Sequence, residues 1–112
     1  MKKLNKQEFI QITDANLSRI KSIIEKKNND YAGGKVETDP FKNFRESEDF
    51  GVKPLVGLSI RMGDKFQRLK TFCKEGQLKV DNEGIEDVFF DMIGYSLLAL
   101  GMIEEDKRNN LP

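Results

Sequence analysis

The 112-residue chain contains no histidine and a single cysteine. The lack of histidine excludes Cys/His zinc sites and the Ser-His and Cys-His pairs of nucleophilic enzymes. Cys73 alone cannot form an intramolecular disulfide, which is typical of a protein in a reducing cytosol. Any catalysis must therefore use carboxylate, lysine, arginine or tyrosine side chains, or a metal ion that they hold.

Net charge and long apolar runs are also missing. Nineteen Lys and Arg residues balance nineteen Asp and Glu residues, so charge gives no reason to expect binding to nucleic acid or to an acidic membrane. The longest apolar-rich run, residues 88–103, is interrupted by Asp91, Gly94 and Ser96 and is too polar for a membrane span. The N-terminal segment lacks the apolar core of a secretory signal. We therefore expect a cytoplasmic protein that binds neither membranes nor nucleic acid directly.

The sequence predicts one helical domain, because 112 residues leave little room for a second. Apolar residues recur at helical spacing in three stretches, which are about residues 6–28, 54–74 and 84–107. Pro54 suits the start of the second helix, and Gly76 suits its end. The only alternating run, residues 77–80, is short and has no partner strand. We expect residues 1–112 to form a single all-α domain, a small bundle of three main helices.

The third predicted helix is apolar around almost its whole circumference. A helix of this kind is normally buried on all sides. Two other helices cannot cover it fully in so small a domain, so we expect the chain to self-associate, most simply as a dimer.

A long connection over residues 29–53 joins the first two predicted helices and carries four aromatic residues. Long loops with aromatic residues are often functional lids. We predict that this segment closes on a ligand, with Tyr31 and Phe44 as partners that stack on a base. The alternative is that its aromatic residues simply pack into the core.

Carboxylates occur four residues apart on the third predicted helix. Asp87 and Asp91 therefore lie on one face of an otherwise apolar helix. Buried carboxylates need a cationic partner, hydrogen bonds or a metal ion, and carboxylate oxygens suit Mg²⁺. We predict a metal or cation site at these two residues. For Asp87, the alternative is a role limited to stabilising the helix N-terminus.

A charged stripe on the second predicted helix consists of Arg61, Asp64, Lys65 and Arg68. At about 100° per residue, the stripe lies beside the apolar row, where it can line a cleft against the third helix. The two arginines suit bidentate phosphate binding, with Lys65 as a point charge between them. The alternative is a network of salt bridges with the acidic residues of the third helix. The two interpretations are compatible, because such a network can open to admit a metal ion and phosphate.

Several short blocks occur in a recognisable order between about residues 27 and 100. They are Asn29-Asp30-Tyr31, the run DPFKNFR from Asp39, Gly51-Val52, the run RMGDKFQRL from Arg61, and IEDV from Ile85 followed by Asp91 and Tyr95-Ser96. In this combination the chain resembles the phage-associated nucleotide modification associated domain proteins. More distantly, it resembles the all-α nucleoside triphosphate pyrophosphohydrolases of the MazG and dimeric dUTPase type.

The resemblance implies an oligomeric helical protein that binds nucleotides in the host cytoplasm. The pyrophosphohydrolases use helix-borne carboxylates with Mg²⁺ to hydrolyse the α–β phosphate bond. By resemblance, Asp64, Asp87 and Asp91 would bind the metal, and the last two would be catalytic. The Glu-x-x-Glu pair typical of those enzymes is not kept on the second helix, where Asp64 is followed by Gln67. The resemblance therefore supports nucleotide binding more firmly than hydrolysis.

Three functions stay open at this point. The first is a Mg²⁺-dependent nucleotide pyrophosphohydrolase or a related nucleotide-processing enzyme. The second is a non-catalytic binder that sequesters a host signalling nucleotide and so blocks host defence. The third is a helical interaction module whose charged stripes form the interface of an oligomer.

Overall fold

The computed structural model describes residues 1–32, 39–78 and 84–111, with the side chains of residues 28–32 excepted. The elements are α1 (Lys6–Ala32), α2 (Lys42–Arg45), a 3₁₀ helix (Glu46–Phe50), α3 (Pro54–Glu75) and α4 (Ile85–Arg108). These ranges contain no strand, which confirms the all-α prediction for the part of the chain described. Within the same ranges, every helix is too short or too polar to cross a lipid bilayer.

The chain forms two compact units, Met1–Thr38 and Asp39–Pro112. The first unit is helix α1, which begins with a capping box: the Asn5 Oδ1 accepts from the Glu8 N–H at 2.8 Å, and the Glu8 Oε1 accepts from the Asn5 N–H at 3.1 Å. The helix continues past the predicted end at residue 28 to Ala32, directly before Gly33. Asparagine is a poor helix former but does not break a helix that is already propagating. The single domain predicted over residues 1–112 stays a prediction.

Local signals set the ends of the two long helices in the second unit. Pro54 occupies the first position of α3, and Gly76 ends the helix with a left-handed φ of 77°. The Gly76 N–H donates to the Phe72 carbonyl at 2.7 Å. At the start of α4, the Asp87 Oδ2 accepts from the Gly84 N–H at 3.2 Å. Both helices therefore begin and end within a residue of their predicted positions.

Helices α3 and α4 pack against each other as an antiparallel pair. Leu55 near the start of α3 and Met102 near the end of α4 belong to the same core. Its buried members are Phe41, Phe44, Leu58 and Met102, and the half-buried side chains around them are Leu55, Met62, Tyr95, Leu98 and Ala99. The core is thus built from both long helices and from the segment that precedes them.

The connection predicted over residues 29–53 is partly helical, which corrects the expectation of a loop without regular structure. It contains the single turn α2 and the 3₁₀ helix, which Gly51 ends with a left-handed φ of 72°. A helical turn places Phe41 and Phe44, three residues apart, on the same side, and both rings are buried in the core. Burial of these two aromatic rings stabilises a conformation that the local pattern does not reveal.

Two glycines of α4 have opposite surroundings. A Cβ atom at Gly101 would lie 2.8 Å from the Phe41 Cζ, whereas a Cβ at Gly94 would meet no atom within 4 Å. Alanine is favoured over glycine inside a helix by about 1 kcal/mol. At Gly101 an added methyl group would also overpack the buried Phe41 ring. Overpacking typically costs about 1–3 kcal/mol, which exceeds the gain in helix propensity.

We expect Gly101→Ala to lower the melting temperature and Gly94→Ala, the matched control in the same helix, to raise it. Thermal and urea unfolding followed by circular dichroism measures both changes. A shift in the same direction for both variants would show that Phe41 does not pack closely on Gly101.

Candidate functional site

An ion pair connects α3 and α4 near the middle of their contact. The Lys65 Nζ lies 2.7 Å from the Asp91 Oδ2, and the two side chains are 15% and 30% exposed, respectively. Removal of one partner would leave the other charge in a poorly solvated position, which is strongly destabilising. The structure thus brings together one cation of the predicted basic stripe and one carboxylate of the predicted acidic pair.

Arg61 lies one helical turn before Lys65 and contacts an aromatic ring. Its guanidinium carbon is 4.8 Å from the centre of the Phe44 ring, a cation–π geometry. The Phe44 ring also meets Tyr95 edge-on, with ring centres 6.4 Å apart and an interplanar angle of 88°. A cation, a buried ring and a tyrosine therefore adjoin the ion pair on one side.

Phe44 belongs to the core and not to the surface of a lid. It is 8% exposed, and Arg61 covers a face of its ring, so the predicted stacking on a base requires Arg61 to move. The predicted partner Tyr31 is in the last turn of α1, and its side chain lies outside the described residues. Base stacking by these two residues stays a prediction.

Arg68 is half-buried and follows Lys65 by three residues, so it continues the basic stripe along α3. The two remaining acidic residues of the predicted site are exposed: Asp64 lies on α3, and the Asp87 carboxylate accepts the Gly84 N–H at the start of α4. Asp87 thus lies at the helix N-terminus, as its alternative interpretation expected, and the structure adds a hydrogen bond to the Gly84 backbone.

Two of the three aspartates predicted as metal ligands contact other groups of the protein. Asp91 contacts Lys65, and Asp87 caps its own helix. Across residues 1–32, 39–78 and 84–111, no three carboxylate or cysteine side chains are grouped so that they could hold a metal ion. In this arrangement Asp87 and Asp91 contact protein groups of opposite polarity instead of each other. Magnesium binding stays a prediction.

A second polar cluster, centred on Arg45, was not singled out as a site by the sequence patterns. The Arg45 Nη2 donates to both carboxylate oxygens of Glu105 at 2.8 and 2.9 Å and to the Asp39 Oδ1 at 3.2 Å. A further hydrogen bond joins its Nε to Asp39. The guanidinium thereby connects residues 39–50 to α4, a link across 60 residues of sequence. The available signal was the run DPFKNFR, which begins with Asp39 and ends with Arg45.

A cavity of about 280 Å³ adjoins this cluster where the start of α3 meets the end of α4. Its lining is mixed, with both charged and apolar side chains. The lining residues are Arg45, Glu48, Lys53, Pro54, Leu55, Met102, Glu105, Asp106 and Leu111. The two clusters therefore differ in character: cations predominate along the α3 stripe, and carboxylates outnumber cations around the cavity.

The hydrogen bonds of Arg45 change the acidity of its partners. The Arg45 guanidinium donates to the Asp39 carboxylate and lowers the pKa of that carboxyl below its ordinary value. Asp39 and Glu105 together raise the pKa of Arg45. A carboxyl whose pKa is lowered by folding stabilises the fold above its ordinary pKa, and this contribution is lost as the pH falls through the folded-state pKa.

We expect Asp39→Asn to lower the melting temperature at neutral pH. The difference from wild type should begin to shrink as the pH falls below about 4, where Asp39 of the unfolded chain is protonated, and should disappear as the pH falls through the lowered folded-state pKa. Thermal unfolding between pH 7 and pH 3 measures this difference. Asp49→Asn, which neutralises an exposed carboxylate of the same segment, is the matched control and should have little effect. A difference that is independent of pH would contradict the assignment.

The comparisons with known proteins add one positive finding. No curated protein and no solved structure matches the chain. The family model of nucleotide modification associated domain 1 matches residues 48–103, which is half of the chain. The matched range contains the Lys65–Asp91 pair, Arg61 and Arg68. The chain therefore belongs to the nucleotide modification associated domain 1 family.

Proposed function

We propose that the chain binds a nucleotide by its phosphate groups at the contact between α3 and α4. The observation that carries this proposal is the sheltered Lys65–Asp91 pair, which has Arg61 and Arg68 on either side along α3. All four residues lie in the range that matches the family model, and the family's description associates it with nucleotide modification.

Phosphate can replace the present partners of these cations at a small net cost. A phosphate oxygen at the Lys65 Nζ would exchange one anionic partner for another, so the lysine would stay neutralised while Asp91 turned to solvent. Arg61 gains about 0.5–2 kcal/mol from its position over the Phe44 ring. A charge-assisted hydrogen bond contributes about 1.5–3 kcal/mol, so phosphate can recruit Arg61 from the ring.

Movement of Arg61 would also uncover a face of Phe44. The ring would then be available for the stacking on a base that the sequence predicts, next to Tyr95. This order of events makes phosphate binding the first step and base recognition the second. It also explains how a core residue can take part in ligand binding.

Binding without turnover is the form of this function that the contacts support better. Both carboxylates of the predicted catalytic pair already have partners, Lys65 for Asp91 and the Gly84 N–H for Asp87. Such a protein could sequester a signalling nucleotide in the cytoplasm of a phage-infected host. Mg²⁺-dependent pyrophosphohydrolysis is the second candidate, and the spacing of Asp87 and Asp91, one turn apart on α4, favours it.

The binding proposal predicts that Arg68→Ala weakens nucleotide affinity by about 10- to 150-fold, the range for loss of one charge-assisted contact. Lys70→Ala removes an equal charge from an exposed position of the same helix and should leave the affinity unchanged. Calorimetric titration with ribo- and deoxyribonucleoside mono-, di- and triphosphates measures both. Equal affinities for the two variants, or no binding by wild type, would refute the proposed site.

A turnover assay with the same nucleotides separates binding from hydrolysis. We expect binding to persist in the presence of a metal chelator, and we expect no pyrophosphate to be released with Mg²⁺ or Mn²⁺. Asp91→Asn keeps the shape of the side chain and removes its charge. Release of pyrophosphate by wild type, abolished by an Asp91→Asn variant that keeps the wild-type helix content, would instead establish the pyrophosphohydrolase.

A further inference from the structure

Helix α4 presents a second apolar surface, which is exposed and distinct from the buried stripe. Phe89, Ile93, Leu100 and Ile103 are 39–63% exposed, although all four are large apolar residues. Ser96 lies among them, and the exposed charges Glu86 and Lys107 lie beyond them at the two ends. We name these seven residues the outer seam.

The outer seam has the spacing of a coiled-coil interface. Its members follow one another at alternating intervals of three and four residues from Glu86 to Lys107, which is the spacing of the inward positions of a heptad. An amphipathic helix of a monomer needs one such stripe, facing its own core. In α4 the buried residues Val88 and Met102 lie on another side of the helix, so the outer seam is an additional stripe.

The outer seam is also complementary to the outer seam of a second copy that runs in the opposite direction. Three pairs of its residues are centred on about residue 96, namely Glu86 with Lys107, Phe89 with Ile103, and Ile93 with Leu100. In an antiparallel arrangement each apolar residue therefore faces another apolar residue, and each terminal charge faces one of opposite sign. A parallel arrangement would place Glu86 against Glu86 and Lys107 against Lys107, which is unfavourable.

We propose that the outer seam binds the outer seam of a second copy of this chain, antiparallel about a two-fold axis at Ser96. Such an interface is isologous, because the same surface patch serves in both subunits. Ser96 has a small side chain, so the two helices can approach closely where they cross. The two oppositely charged ends determine the direction of pairing, and the four apolar residues supply the buried area.

Measurement of mass tests whether this surface associates. We expect the full-length chain to sediment as a dimer and Leu100→Glu to sediment as a monomer with unchanged helix content. The matched control is Ile60→Glu on α3, because Ile60 and Leu100 are 62% and 63% exposed. That variant should remain a dimer. A monomeric wild type, or a dimer that Leu100→Glu does not weaken, would overturn the proposal.

Charge reversal tests the pairing of the two ends. Glu86→Lys places two cations together at each end of the interface and should weaken dimerisation by roughly tenfold. The double variant Glu86→Lys/Lys107→Glu restores opposite charges and should recover the dimer. Failure of the double variant to recover, with helix content unchanged, would contradict the proposed register.

Disulfide formation tests the direction, with Cys73→Ser as the background because Cys73 is exposed. Ser96→Cys lies at the two-fold axis and should cross-link readily to itself. Glu86→Cys should not, since residues 86 of two antiparallel helices would lie about 32 Å apart. Efficient cross-linking of Glu86→Cys to itself would indicate a parallel pair and overturn the proposal.

Discussion

The pairing of Lys65 with Asp91 is the constraint on which the packing of the second unit depends. Each charge lies on the side of its helix that faces the other helix, and neither can be enclosed there without its partner. This contact joins the turn of α3 that carries Lys65 to the turn of α4 that carries Asp91. At the far end of α4, Arg45 binds Glu105 and adds the segment that precedes α3. Two ion pairs thus align three parts of the chain around one apolar core.

The proposed binding site and the core are physically connected. Arg61 covers the ring of Phe44, and Phe44 packs against Tyr95 within the core cluster. Any ligand that moved Arg61 would therefore change the environment of a buried ring, so the proposed binding would be coupled to stability. The carboxylate-rich cluster around Arg45 is a different kind of surface, in which the Nε and Nη2 of the guanidinium already donate to Asp39 and Glu105.

Helix α4 carries most of the features discussed, because its residues serve on several sides. Val88 and Met102 face inward, Asp91 faces α3, and Gly101 permits close approach of Phe41. The outer seam is exposed. An apolar circumference in the sequence therefore represents one apolar stripe that is buried in the unit and one that is exposed.

Helical spacing of apolar residues in the sequence was sufficient to determine the all-α class. The bounds of α3 and α4 were also determined by the sequence, because Pro54, Gly76 and Gly84 act locally at the helix ends. The position of Asp87 at the helix N-terminus was also visible, because it depends only on neighbouring residues. Tertiary structure alone decided the partner of Lys65, the burial of Phe44 and the position of Arg45. Those outcomes depend on contacts between distant residues, such as Arg45 with Glu105, and a local pattern contains no information about which distant surfaces meet.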